Sequence, residues 1–74
     1  EARAMVAHVL RRLGRLDEAL ALLLALEREW EAVALPQGDV FDELAEVYAA
    51  KGDAVRAAEY RGLVAELAAA PRPQ

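Results

Sequence analysis

Apolar positions recur along this chain at three- and four-residue steps, interrupted by glycine or proline. Between those interruptions the spacing is that of amphipathic helices. In residues 2–13 the stripe runs through Val6, Val9, Leu10 and Leu13, and in 17–34 through Leu20, Leu23, Leu24, Leu26, Trp30 and Val33. In residues 40–51 it is Phe41, Leu44, Ala45, Val47 and Tyr48, and in 54–69 it is Ala57, Tyr60, Leu63, Val64 and Leu67. The interruptions are Gly14, the run Leu35-Pro36-Gln37-Gly38, Gly52, and Pro71 with Pro73. Gly14 and Gly52 stand where a left-handed residue would close a helix. Asp39 and Asp53 stand where an N-cap is wanted, and Asp42 and Glu43 follow in the expected first turn, where carboxylates suit the helix dipole.

The links after Gly14 and Gly52 are so short that the flanking helices must fold back antiparallel. The pattern therefore predicts an all-α domain over residues 1–70, built of four helices in two αα-hairpins at 2–34 and 39–69. Residues 71–74 read as a frayed proline-rich tail. Residues 19–26 of the second helix are apolar on every side. A helix of that kind is buried on every side. It is expected to be the central helix, touching the other three. Otherwise one face, with Leu20, Leu24 and Trp30, meets a second subunit.

Composition narrows the class. The 74 residues include no Ser, Thr, Asn, Cys or Ile, and Ala, Leu, Glu and Arg dominate. Those four are strong helix formers. A chain of this size buries only about 60% of its unfolded surface, and without cysteine no disulfide makes up the difference. Net charge is −4, which argues against nucleic acid as the main partner. The charge is uneven: Arg3, Arg11, Arg12 and Arg15 crowd the first fifteen residues, while 27–46 are acid-rich. The eight apolar residues 19–26 fall short of the roughly 20 that a membrane span needs, and no signal peptide is visible. A cytoplasmic setting is the default expectation.

Placing Gly14 over Gly52, 38 residues on, brings the two halves into register. Val6 then matches Leu44, Ala7 matches Ala45, Leu10 matches Tyr48, Ala19 matches Ala57, and Leu26 matches Val64. Alanine at these points lets helix backbones approach closely at a crossing. The order of residues resembles the tetratricopeptide repeat, with large, Leu, small and aromatic positions before a glycine and alanines after it. The second copy carries it as Phe41, Leu44, Ala45, Tyr48, Gly52-Asp53, Ala57 and a displaced Tyr60. The first carries it as Val6, Ala7, Leu10, Gly14, Ala19 and Leu23, with Arg3 at the first large position. The spacing of 38 exceeds the family's ~34 by about one helical turn, assigned to a longer second helix reaching past Trp30. The resemblance implies hairpins stacked as a fragment of a right-handed superhelix. Arrays of this kind need about three copies, so further repeats of a longer parent chain, or a second subunit, are expected to complete it.

Chemistry is scarce. With no Ser, Thr or Cys, the tyrosines are the only hydroxyl nucleophiles, and His8 is the only histidine. His8 among arginines reads as a surface residue, and acid pairs such as Glu27/Glu31 and Asp42/Glu46 read as solvated helix faces. No metal motif, phosphate loop or cofactor site is expected, and the chain is not expected to be an enzyme. The resemblance instead implies a concave groove lined by the first helix of each hairpin. By position it places Ala4, His8, Arg11 and Arg12 on one side and Asp39, Asp42, Glu43 and Glu46 on the other. That groove would be basic at one end and acidic at the other. The family's clamp for a C-terminal carboxylate uses Lys and Asn at positions held here by Ala4 and His8, so it is absent or much altered. Arg11 and Arg12 either hold a carboxylate or pair with the acidic third helix. The leading expectation is an adaptor or scaffold module that binds a peptide or protein through its concave face. The alternatives are a homodimerising segment and a helical portion of a larger bacterial regulator.

Overall fold

The computed structural model describes residues 2–32 and 38–69, and these form four helices with no strand among them. They are α1 (Ala2–Arg12), α2 (Leu16–Ala32), α3 (Gly38–Ala50) and α4 (Ala54–Ala69). The fold is all-α. Val33, the link at 33–37 and the tail at 71–74 lie outside the described residues.

The two tight turns are the same structure made twice. At the end of α1, Gly14 N–H donates to Arg11 O at 3.0 Å and Arg15 N–H to Leu10 O at 2.9 Å. At the end of α3, Gly52 N–H donates to Ala49 O at 3.1 Å and Asp53 N–H to Tyr48 O at 2.9 Å. This nested pair is the Schellman closure, and its pivot is a left-handed residue. Gly14 and Gly52 supply it at φ 80° and 85°. The next helix starts without delay, as Arg15 O and Asp53 O accept from Ala19 N–H and Ala57 N–H. Asp53 Oδ1 also caps α4 by accepting from Arg56 N–H at 3.0 Å.

A Cβ added at Gly52 meets no atom within 4 Å, so the cost of Gly52→Ala is the left-handed backbone alone. That cost is about 1–2 kcal/mol. Gly62 is equally open but sits in the right-handed interior of α4, where alanine is better than glycine by about 0.4–1 kcal/mol. Urea melts should therefore move in opposite directions for Gly52→Ala and Gly62→Ala. Two shifts of the same sign would refute this account of the turn.

The core is small and centred on α3. Val40, Leu44, Ala45, Val47 and Tyr48 of that helix are buried, against Ala19, Leu23 and Leu26 of α2, Ala4 and Ala7 of α1, and Ala57 of α4. Helix α3 packs against all three others, whereas α2 packs on α1 and α3 and reaches α4 through a long 3.4 Å contact from Tyr60 Oη to Glu27 Oε1. The central helix is thus α3, not the second helix that its apolar run suggested. Ala21 and Ala25 of that run are exposed, so the greasiness of α2 is partly alanine facing water. Between α3 and α4 the space is filled by rings. Tyr60 lies 5.7 Å from both Phe41 and Tyr48, nearly parallel to the latter, and Arg56 lies over Tyr48.

Helix α1 departs most from its predicted face. Val6, Val9 and Leu13 are more than half exposed, and the buried residues are Ala4 and Ala7, with Leu10 half-buried. Its orientation is held by ion pairs at both ends of the buried face, Arg3 to Glu29 at 2.7 Å and Arg11 to Glu43 at 3.0 Å. The small residues between these anchors permit the close approach, and the larger ones turn outward. At the start of α3 the boundary also differs. Asp39 lies inside the first turn, behind Gly38, rather than capping it, and Asp42 and Glu43 fall beyond that turn.

Candidate functional site

A cleft of about 220 Å³ opens between α1 and α3, lined by Ala4, Met5, His8, Asp39, Asp42 and Glu43. Ala4 and His8 are one turn apart on α1, so a small side chain sets the depth and the imidazole forms one wall. The facing wall is the acidic N-terminal half of α3. Its carboxylates fare very differently.

Glu43 is the structural one. Its side chain is 19% exposed, and Oε2 accepts from Arg11 Nε at 3.0 Å while Oε1 lies 2.7 Å from His8 Nδ1. Arg11 Nη2 also lies 3.1 Å from that nitrogen. A single nitrogen cannot both donate to Glu43 and accept from Arg11, so the ring tautomer decides which neighbour it serves. The trio forms a latch across the α1–α3 joint at the floor of the cleft. Of the two roles open to Arg11, pairing with the third helix is the one it fills.

Asp39 and Asp42 are exposed and make no hydrogen bond or ion pair with another described residue. They are the unspent charge of the cleft. Glu46 does not line it, and its nearest cation is Arg61, at 3.9 Å. Arg12 is exposed at the end of α1 and does not line it either. The groove residues inferred from position therefore divide: His8, Asp39, Asp42 and Glu43 come together, Arg11 lies beneath them, and Arg12 and Glu46 stand apart. Met5 was missed. It is 72% exposed at the cleft edge, and its place outside the stripe of α1 was the only signal for it.

Leu20 and Leu24 are half-buried and pack against the core, and Trp30 is half-buried too. On α2 the residues Asp17, Leu20, Leu24 and Glu27 follow one stripe, and its ends touch Lys51 and Tyr60 of the second hairpin. The two leucines thus face that hairpin.

Among the described residues, no three His, Asp or Glu side chains are grouped so that they could hold a metal ion. Burial among the rings, reinforced by the Glu27 carboxylate, pushes the Tyr60 phenol well above its ordinary 10.0, so it holds its proton more firmly than a free tyrosine. That is the reverse of what a nucleophile requires. No described helix is long and apolar enough to cross a membrane.

No family model, curated protein or solved structure matches the chain.

Proposed function

We propose that this chain is a protein-interaction module of tetratricopeptide-like architecture, two hairpins stacked as in a right-handed superhelix, that holds an extended peptide in the cleft between α1 and α3. The observation that carries the reading is the pair of unpartnered carboxylates, Asp39 and Asp42, beside the apolar Met5 in an open cleft. Arg11 and His8 are occupied by Glu43, so the cleft's own charge is acidic where the sequence implied a basic end. A peptide bearing Lys or Arg next to an apolar residue fits this chemistry. A cytoplasmic setting and the absence of an enzymatic role belong to the same proposal.

The test uses residues that the fold does not need. Asp39→Lys with Asp42→Lys alters exposed positions, whereas Arg11→Glu would set a second carboxylate against Glu43 and damage the joint. A charge-assisted hydrogen bond contributes about 1.5–3 kcal/mol, so losing both should weaken capture of a basic peptide by at least about 100-fold. Fluorescence anisotropy on a panel of basic, neutral and acidic peptides reads this directly. Equal affinity across the panel, or no change in the double variant, would sink the proposal.

A further inference from the structure

One nitrogen at the floor of the cleft is claimed by two neighbours. His8 Nδ1 lies 2.7 Å from Glu43 Oε1 and 3.1 Å from Arg11 Nη2, while Arg11 Nε donates to the other oxygen of Glu43 at 3.0 Å. A bare Nδ1 accepts from Arg11 but sets its lone pair against the carboxylate. An Nδ1 that carries hydrogen donates to Glu43 and leaves Arg11 Nη2 facing another donor. The neutral ring serves either neighbour by choice of tautomer. The imidazolium has no such choice, because both of its nitrogens are donors. Glu43 is then its one acceptor in the trio, at a separation usual for a charge-assisted bond. Arg11 keeps only its bond to Glu43.

The surroundings of His8 are lopsided. Helix α3 faces it with Glu43, Asp39 and Asp42. Helix α1 supplies Arg11, already tied to Glu43, and the exposed Arg12 one turn on. Helix α2 places Glu29 against Arg3, on another face of α1, and no described residue of α2 or α4 lines the cleft. The imidazole is half-exposed, so protons reach it directly from solvent. A proton on this ring is a cation set among the same carboxylates that would receive a guest's cation.

We propose that His8 is a proton-operated release for the cleft. Uptake of a proton commits Nδ1–H to Glu43, detaches Arg11 from the ring and offsets part of the acidic wall, so a basic guest leaves as the solution turns mildly acidic. This rests on the peptide-binding reading and adds its regulation. Imidazole is the side chain whose ordinary titration falls between about pH 5 and 8, and the chain has one histidine. Linkage acts in both directions, so a basic guest that enters expels the proton.

Two measurements test this. In the free chain, heteronuclear NMR follows the His8 ring and the Arg11 side chain from about pH 8 to about pH 5. The Arg11 Nε signal should move at the His8 midpoint, and His8→Gln should hold it still. An Arg11 signal that stays flat while His8 titrates overturns the proposal, whatever peptides do. The second measurement is anisotropy with a lysine peptide that has blocked ends and no histidine, at about pH 7.5 and about pH 5.5. Like charges roughly 4 Å apart in water weaken binding about fivefold, so the dissociation constant should rise at least that much at the lower pH. For His8→Gln the two values should coincide, at whatever level its affinity settles. Equal affinity of the parent chain at both pH values, or the same loss in His8→Gln, also overturns the proposal. Capture at neither pH refutes the peptide reading alone, and the Arg11 signal then decides the proton-driven exchange of partners.

Discussion

Leu44→Ala is expected to remove a large share of the chain's stability. Leu44 is fully buried on the one helix that packs against all the others. Removing its isobutyl end forfeits the contacts of α3 and leaves a cavity, at about 2.7–5.0 kcal/mol. A chain of 74 residues has only about 4–11 kcal/mol of stability to lose. Far-UV circular dichroism should show a melt at markedly lower temperature than that of the parent chain. Val55→Ala is the control, because Val55 is 71% exposed and its truncation should be nearly silent. Equal melts for the two variants would mean that α3 is not the centre of this core.

Ala7→Leu is expected to cost about 1–3 kcal/mol, the usual price of extra methylenes in a filled core. Ala7 is fully buried on α1, and Ala45, its counterpart on α3, is 1% exposed. A leucine at either point forces the backbones apart and strains the Arg11–Glu43 contact that crosses the α1–α3 joint. The same change at Ala25 of α2, which faces water, should have little effect. Chemical denaturation of Ala7→Leu and Ala25→Leu distinguishes the cases. A neutral Ala7→Leu would show that the alanines do not set the helix separation.

These expectations rest on features that the sequence announces unevenly. Gly14 and Gly52 state their role openly, because few other residues accept a left-handed backbone, and both turns form where they stand. The matched alanines were legible for a related reason: Ala7, Ala19, Ala45 and Ala57 are all at most 1% exposed. The orientation of α1 was not legible. Periodicity weights a face by the size of its apolar residues, and on α1 the large ones lie opposite the buried alanines. In the observed orientation Arg3 and Arg11 meet Glu29 and Glu43, partners 26 and 32 residues away, which no local pattern reveals. The centrality of α3 was hidden by composition, since alanine counts as apolar in a pattern yet sits comfortably in water.

At the cleft, the sequence brought the right helices together but could not say which charges neutralise one another. Four acidic positions on α3 look alike as letters. Only the distance from Glu43 to Arg11 and His8 separates it from Asp39 and Asp42.

Glu43 serves two masters, and that ties occupancy of the cleft to the firmness of the fold. A guest whose cation stops at Asp39 and Asp42 adds its grip to a framework that stays closed. One whose cation reaches further competes with Arg11 and His8 for the same oxygens, and each step of its binding loosens the clasp between the two halves. If the proposed peptide role holds, the arrangement would favour short-armed guests over long-armed ones.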